Sequence, residues 1–496
     1  MAIPDTIIAG GPYDHRRAPL LEAVRHYLDQ DITPFSTPGH KRGKGIDAEY
    51  AEIFGEQFLS ADIPLGGGVD TTHFNHELLV QAELLGADAW GADCTYYLIN
   101  GSSTGNHAFM LGTLRPDDEV IIARDIHKSL MVALIVAGVK PIYLAPELHP
   151  ELSVGLGITP AAVARALDAH PQAKLVALVS PSYCGVPSDL VGIAEVAHSR
   201  GVPVYVDEAW GPHFHFHPRF PKSAMASGVD GAVGSTHKIL GAVTQTAVLN
   251  LKGPLVDFRR IGAAVGMVQS TSPSVPLFAS IDACRRQMML EGADRLEVAI
   301  ELTADARRRL QAIPGIRVLD AESLGLANYD LTKLVIDVNG LGLTGFETED
   351  LMRNRFGLQP EMSDLISVVC VVTIGDSQAS IDKLVRAFEL IGRERAGATP
   401  ASAELRSSGM VIAPGVQAMI PRDAFFAKAR AVPLMEAVGE VSAELVIPYP
   451  PGIPVLAPGD VISVEKADYL RTGAALGMYL SGPEDHMLRT IKVVDR

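Results

Sequence analysis

The fold is indicated most clearly by residues 203–241, which read PVYVDEAWGPHFHFHPRFPKSAMASGVDGAVGSTHKILG. Two short runs rich in β-branched residues, PVYVD and DGAVG, predict strands. The first run ends at Asp207, and the second leads directly into the tetrapeptide STHK at 235–238. In open α/β sheets, ligands bind at the carboxyl ends of the strands. We therefore predict that Asp207 and Lys238 face one another across a single ligand.

A carboxylate opposite a lysine suits pyridoxal 5'-phosphate. The lysine can hold the aldehyde of this cofactor as a Schiff base, while the carboxylate keeps the pyridine nitrogen protonated so that the ring accepts electrons. On these two residues alone, a strand-end aspartate and a surface lysine with no chemistry explain the pattern equally well. Motifs elsewhere in the chain favour the cofactor site.

These motifs follow one another in a characteristic order. They are GSSTGN, DIHKSL, SPSYCGV, DEAWGPHF, STHK, TSPSVPLFAS and YPPGIP. In this combination the sequence resembles the ornithine/lysine/arginine decarboxylase family from about Thr33 to the C-terminus. The resemblance implies an α/β protein of fold type I, with a large, mostly parallel sheet domain, a smaller α/β domain and a C-terminal domain. The chain departs from the longest family members in having no room for a separate N-terminal receiver-like domain, so a short form of the family is expected.

The composition is that of a globular protein with several domains. Its 496 residues exceed the size of about 250–300 residues at which single hydrophobic cores stop growing. We expect an N-terminal arm over 1–30, a cofactor-binding domain over 31–295, a small α/β domain over 296–395 and a C-terminal decarboxylase domain over 396–496. The net charge of −16 opposes non-specific binding to nucleic acid and is compatible with a cationic substrate.

Cysteine usage and the N-terminal sequence indicate a cytoplasmic protein. The four cysteines are far apart and form no CxxC pair, so the sequence suggests neither a zinc cluster nor a disulfide framework. The N-terminus lacks a basic region followed by a long apolar segment, and apolar runs such as VALIVAGV are too short to cross a bilayer. We expect reduced thiols and no association with membranes.

Hydroxyl groups near a helix N-terminus predict a phosphate site. A strand, TYYLI, runs into a turn, NGSSTGN, and a helix, HAFMLGTL, is expected to follow. Ser102, Ser103 and Thr104 would offer hydroxyls where the helix dipole and unsatisfied N–H groups favour an anion. Ordinary N-capping by these residues is the alternative. The resemblance adds Ser235 and His237 to the residues that hold the phosphate.

Other residues are expected around the cofactor ring. The resemblance places His127 in a stack over the ring, and a purely structural histidine is the alternative. Ala209 lies two residues after Asp207 on the same side of an extended chain, so its methyl group can rest against the ring, with Trp210 at the border. Tyr183, in the PSYCGV loop after a strand, is expected to approach the substrate or the cofactor.

The segment HFHFH places His213, His215 and His217 at strand spacing, which is a possible metal cluster. Prolines at 212 and 218 frame this segment as a loop, and no carboxylate or thiol partner stands at helical spacing. We therefore predict no metal, and expect His213 to line the substrate pocket.

The predicted reaction is the decarboxylation of a basic amino acid, with arginine or lysine first and ornithine next, to a polyamine-type amine and CO2. Lys238 would carry the cofactor and Asp207 the ring-nitrogen proton, while Lys238 or His237 would return a proton to Cα. An aminotransferase or an oxidative variant is the nearer alternative, because a fold does not fix a reaction. A non-catalytic relative is the farther one, and the presence of both Asp207 and Lys238 argues against it.

Substrate choice and assembly rest on weaker patterns. A cationic side chain in a closed pocket needs an acidic partner, for which Asp62, Glu361 and Glu444 are candidates and Glu444, just before YPPGIP, is preferred. The resemblance implies that Ser270, in a hydroxyl-rich turn, contacts the phosphate bound to a partner subunit. A simple turn that stabilises the next helix is the alternative. We expect a homodimer or dimer-based oligomer with shared active sites.

Overall fold

Helices and strands alternate along most of the chain in the computed structural model, which describes residues 13–65, 77–149, 152, 154–400, 415–448 and 452–495. The helices are α1 (Pro19–Leu28), α2 (Ala48–Phe54), α3 (Glu56–Ala61), α4 (Glu77–Trp90), α5 (Gly101–Thr113), α6 (Lys128–Ala137), α7 (Pro160–Ala169), α8 (Leu190–His198), α9 (Phe258–Val268), α10 (Val275–Gln311), α11 (Gly345–Phe356), α12 (Gln378–Glu394), α13 (Pro421–Phe426) and α14 (Val464–Ala475). The strands are β1 (Cys94–Leu98), β2 (Glu119–Ala123), β3 (Lys140–Leu144), β4 (Leu175–Val179), β5 (Val204–Asp207), β6 (Gly231–Gly234), β7 (Ala247–Leu251), β8 (Arg317–Val318), β9 (Lys333–Asp337), β10 (Met362–Ser363), β11 (Ser367–Val371), β12 (Ala429–Pro433), β13 (Ile447–Pro448), β14 (Leu480–Ser481) and β15 (Thr490–Val494).

The larger sheet has seven strands in the order β1-β7-β6-β5-β4-β2-β3. Strand β2 runs parallel to β3 and β4, whereas β7 is antiparallel to both β1 and β6. The sequence LVALV of β4 is buried throughout, as is typical of a parallel strand covered on both faces. The predicted α/β class with a large, mostly parallel sheet is therefore confirmed.

The internal contacts of the chain divide it into two compact units. The first unit comprises Met1–Thr113, Asp207–His217 and Lys222–Arg295, and it includes β1, β6 and β7. The second unit comprises Leu114–Val206, Pro218–Pro221 and Leu296–Arg496, and it includes β2, β3 and β4. The four domain boundaries expected from the sequence remain predictions.

The second unit also contains three smaller sheets. One has four antiparallel strands in the order β10-β11-β9-β8, and the other two pair β12 with β15 and β13 with β14. Aliphatic residues of the four-stranded sheet pack with residues of α10, α11 and α12 into one core, which runs from Ala299 to Ile391. A separate core runs from Leu434 to Val493.

The N-terminal segment is tied to α10 by a fully buried ion pair in the first unit. Arg285 donates to the carbonyl oxygens of His15 at 3.2 Å and Arg17 at 2.5 Å, and to Asp282 at 2.8 Å. Asp282 in turn accepts from the backbone N–H of Leu20 at 2.9 Å. The first turn of α1 is thereby fixed to a helix more than 260 residues later in the chain.

One local expectation was wrong. Helix α5 begins at Gly101, which has φ of +75°, so most of the GSSTGN motif is helical and not a turn before the helix. The HFHFH segment, expected to be a loop, forms a 3-10 turn over Phe214–Phe216.

Within the described ranges, no helix is both long and apolar enough to cross a membrane.

Candidate functional site

Asp207, the last residue of β5, is buried and held by two neutral donors. The side-chain amide of Asn106 donates to Oδ2 at 2.9 Å, and the backbone N–H of Ala209 donates to Oδ1 at 3.1 Å. Asn106 is fully buried in the second turn of α5, so this helix and the strand end meet at the carboxylate. Because the donors carry no charge, they orient Asp207 without neutralising it, as a partner for a protonated ring nitrogen requires.

Lys238 belongs to the loop that leaves β6, and its position is set by Trp210. The Nζ atom lies 3.9 Å from the centroid of the indole ring, within the range of a cation–π contact. Trp210 is buried three residues after Asp207. The loops that carry the carboxylate and the lysine leave β5 and β6, which are neighbours in the sheet.

Helix α5 packs closely against β6 because glycines face larger side chains. A Cβ atom on Gly105 would lie 2.6 Å from Cγ2 of Val233, and a Cβ atom on Gly231 would collide with the ring of Phe109. These two contacts show that the helix runs antiparallel to the strand. The first turn of α5 therefore lies at the end of β6 that leads to Ser235.

The hydroxyl of Ser235 is fully buried and has no hydrogen-bond partner among the described residues. An orphaned buried hydroxyl costs on the order of 1–3 kcal/mol, which a bound acceptor would remove. Ser102 and Ser103 lie at the adjacent N-terminus of α5 and are partly exposed. Thr104 differs, because its hydroxyl donates to the carbonyl oxygen of Asn100 at 3.1 Å. The residues present therefore fit a phosphate group.

The loop before β7 is hydrogen-bonded to the start of α5 and to the loop after β6. Gln245 has φ of +79°, which is unfavourable for a residue with a side chain, and its carbonyl oxygen accepts from the N–H of Gly101 at 2.7 Å. The hydroxyl of Thr236 donates to that of Thr246 at 2.8 Å. The loops before β7 and after β6 and the start of α5 are thus joined by hydrogen bonds.

His237 is held in one tautomer by this loop. Its Nδ1 atom lies 2.7 Å from the carbonyl oxygen of Thr246, which can only accept, so Nδ1 carries the proton. Burial lowers the pKa of His237, and Lys238 adds to the effect. In the neutral ring Nε2 is an acceptor, so His237 would have to take up a proton there before it could donate one to Cα or to a phosphate.

Four further predicted residues lie in local structure that accounts for them without a ligand. His127 caps α6, and its Nδ1 atom lies 2.8 Å from the hydroxyl of Ser129. Tyr183 packs against an apolar cluster that includes Leu152 and Val186. His213 is fully buried, 4.8 Å from the ring of Phe214.

The fourth is Ser270, which is exposed and accepts from the N–H of Ser272 at 3.1 Å, as in the simple turn considered above. The ligand contacts expected of His127, Tyr183, His213 and Ser270 stay predictions.

The three candidate acids for the substrate cation have different local surroundings. Glu444 is buried, and its two oxygens accept from the backbone N–H groups of Lys492 at 2.8 Å and Glu484 at 3.0 Å. Asp62 lies 3.2 Å from His40, and Glu361 is exposed. The backbone bonds give Glu444 a structural function within the C-terminal core.

Two contributors to the site were missed in the sequence. Asn106 is the last residue of GSSTGN. A predicted helix that began at Gly101 would have included Asn106 in the helix that meets the end of β5. Thr246 carried no local signal, because its role depends on hydrogen bonds to Thr236 and His237 across a loop.

Comparisons with known proteins identify the family of the chain. The model of the family "Orn/Lys/Arg decarboxylase, major domain" matches residues 18–330, and that of its C-terminal domain matches residues 408–484. The chain is 38% identical over 484 residues to an arginine decarboxylase of Halalkalibacterium halodurans, covering 96% of this chain and 98% of that protein. It is 39% identical over 482 residues to an arginine decarboxylase of Bacillus subtilis, again covering 96% and 98%.

Solved structures share the fold. Lysine decarboxylase A from Pseudomonas aeruginosa superposes with a TM-score of 0.84 at 21% identity, covering 96% of this chain and 80% of that one. The Francisella novicida lysine decarboxylase gives a TM-score of 0.82 at 22% identity, covering 96% and 81%.

Proposed function

Since this chain belongs to the Orn/Lys/Arg decarboxylase family and is a decarboxylase of basic amino acids, we propose that it prefers arginine, accepts lysine and then ornithine, and releases the corresponding polyamine-type amine and CO2. The observation that supports the proposed chemistry is that Asp207 ends β5, while Lys238 and the orphaned Ser235 hydroxyl follow β6, its neighbour in the sheet. The preference for arginine is supported by the relatives matched over 96% of the chain, which are arginine decarboxylases.

The proposed cofactor is pyridoxal 5'-phosphate, on which the family depends. Lys238 would hold it through the ε-amino group, Asp207 would hold the proton of the ring nitrogen, and His127 would stack on the ring. The ring would border Ala209 and Trp210, and its phosphate would be held by Ser102, Ser103 and Ser235. When bound, the cofactor supplies an electron-accepting ring for the electrons released as CO2 leaves.

The residues of the chain select the bond that breaks and move the proton. Asp207 keeps its orientation because Asn106 and Ala209 hold both of its oxygens. Binding geometry fixes the Cα–carboxylate bond relative to the ring. The amino group of Lys238 carries protons of its own and is proposed to return one to Cα, whereas His237 presents an acceptor at Nε2 and could do so only after first taking up a proton.

We also propose a cytoplasmic homodimer, or a dimer-based oligomer, in which Ser270 of each subunit contacts the phosphate bound to the other. The exposed position of Ser270 supports this assembly, and four free cysteines support a reducing compartment.

A substrate panel tests the proposed reaction. Arginine, lysine, ornithine and neutral amino acids are each supplied to the cofactor-loaded enzyme, and CO2 and amine are both quantified. We expect equal amounts of CO2 and amine, with the highest kcat/KM for arginine. A keto acid product without CO2 would instead indicate transamination, and equal turnover of neutral amino acids would contradict a cationic substrate.

A further inference from the structure

A cavity of about 160 Å³ lies in the second unit, and none of its lining residues is among those proposed above to hold the cofactor, although Tyr183 is part of the lining. It is bordered by the residues after β2, the loop after β4, the four-stranded sheet and the C-terminal segment. Its wall is largely aliphatic and includes Leu152, Val154, Leu319, Val335, Met362 and Val369. The proposed reaction assigns no role to this space.

Three carboxyl groups also line the cavity, and two of them are already hydrogen-bonded. Asp337 accepts from the N–H of Asn339 at 2.9 Å. Asp364 accepts from the N–H groups of Ile366 at 2.8 Å and Ser367 at 2.6 Å. These hydrogen bonds give both carboxylates a structural role in the four-stranded sheet.

The third carboxyl group, that of Asp125, has one oxygen without a partner. Its side chain is buried, and Oδ1 has no hydrogen-bond partner among the described residues. The guanidinium of the neighbouring Arg124 donates instead to the carbonyl oxygen of Pro454 at 2.6 Å and pairs with Asp460 at 3.0 Å. Burial raises the pKa of Asp125 to about 6, against the opposing effect of the Arg124 charge, so the group is mostly ionised at neutral pH. A buried carboxylate oxygen without a donor is unfavourable, and a cationic donor placed against it would relieve the cost.

We propose that this cavity binds a short aliphatic cation, an alkylammonium or alkylguanidinium ion, with its head on Asp125 and its chain against Leu152, Val335 and Met362. An apolar cavity of about 150 Å³ holds a molecule such as benzene, so this one suits a ligand of about six to eight non-hydrogen atoms. The unpartnered oxygen of Asp125 fixes one cationic head, and the aliphatic wall receives the chain.

The same lining disfavours an amino acid. Its α-carboxylate would enter a space that already holds the carboxylates of Asp337 and Asp364, and like charges at short range repel. The site therefore distinguishes an amine from its parent amino acid.

Pentylammonium is a suitable probe because it has one cationic head, an aliphatic chain and no carboxylate to lose. Titration calorimetry on the cofactor-loaded enzyme near neutral pH should give one site per chain. The neutral isostere 1-pentanol should bind at least about tenfold more weakly, and pentanoate should not bind. The visible spectrum of the cofactor should stay unchanged over the same titration. A spectral change with the same concentration dependence would place the amine at the cofactor and overturn the proposal.

Matched variants locate the site. Asp125→Asn, which keeps the shape and removes the charge, should weaken pentylammonium at least about tenfold and leave 1-pentanol unaffected. Val154→Phe, which fills the cavity and keeps Asp125, should abolish binding of both. Asp337→Asn makes the same chemical change at the same cavity and should alter affinity less than about threefold, because its oxygen already has a donor. Equal loss in the two aspartate variants, or no loss in Asp125→Asn, would overturn the assignment.

Discussion

Lys238 is the residue on which the proposed chemistry depends most directly. Lys238→Ala should abolish turnover and the visible absorbance of the bound cofactor, because the ε-amino group is proposed to react and not to pack. The exposed Lys222 in the same unit provides the control, and Lys222→Ala should keep both properties. Steady-state rates and absorbance spectra test this prediction, and wild-type turnover in Lys238→Ala would contradict it.

Asp207 should be needed for its charge and not only for its hydrogen bonds. Asp207→Asn preserves size and keeps one oxygen that can accept from Asn106 or Ala209, but it cannot hold the proton of a ring nitrogen. We expect the rate to fall roughly 1,000-fold, or about 4 kcal/mol of transition-state stabilisation, with the cofactor still bound. A decrease of less than about tenfold in kcat would contradict this role.

Glu208 should make the free energy of unfolding decrease as the pH rises. Its side chain accepts from the N–H of Ala224 at 2.7 Å, and burial raises its pKa from 4.5 to about 8. The folded state therefore binds a proton that the unfolded state has lost between these values. Stability from this group is complete below pH 4.5 and is lost as the pH rises toward about 8.

Glu208→Gln should remove this dependence, because the amide keeps an acceptor for Ala224 and is always neutral. The variant should be more stable than the wild type above pH 8, by on the order of a few kcal/mol, and similar to it at pH 5. Urea denaturation at the two pH values measures the difference. A variant that loses stability equally at both would show that the carboxyl group is not protonated in the folded protein.

At the scale of elements, the approach of α5 to β6 decides where the proposed phosphate site lies. Gly105→Ala would bring a methyl group to within 2.6 Å of Val233 and push the helix away from the strand. We expect a loss of about 1–3 kcal/mol in stability together with weaker cofactor binding. Gly266→Ala, in α9 with nothing within 4 Å, is the matched control and should be neutral or slightly stabilising. Denaturation and cofactor titration of both variants test the prediction, which fails if they behave alike.

The strand ends of the site are easier to predict from the sequence than its helix is. Asp207 and Lys238 could be placed because each follows a buried β-branched run, and the alternation of strands and helices indicated the α/β class. The start of α5 could not be predicted in this way. The glycines and serines of GSSTGN are typical of turns, and their helical state depends on packing against β6. The tautomer of His237 and the orphaned hydroxyl of Ser235 likewise depend on partners that come from distant loops.

At the scale of the whole molecule, the shared-site proposal predicts that two inactive variants complement each other. Lys238→Ala subunits are mixed with Ser270→Glu subunits under conditions that exchange chains. One site of each heterodimer then combines an intact Lys238 with an intact Ser270 from the other chain, and random mixing should restore about a quarter of wild-type activity.

The control mixture pairs Lys238→Ala with Asp207→Asn, which alter the same unit of one chain and should restore nothing. No recovery in the first mixture, although heterodimers are shown to form, would contradict a shared site.

The buried pair of Arg285 and Asp282 also imposes an order of events during synthesis. The backbone groups of the N-terminal segment find their partners only after residues 262 or more positions later have been made. At about 5–20 residues per second, the ribosome needs on the order of 15–50 s to reach them. The start of the nascent chain must therefore wait without its final partners while more than half of the protein is translated. A ribosome that stalls before residue 285 would leave that segment undocked and open to proteases.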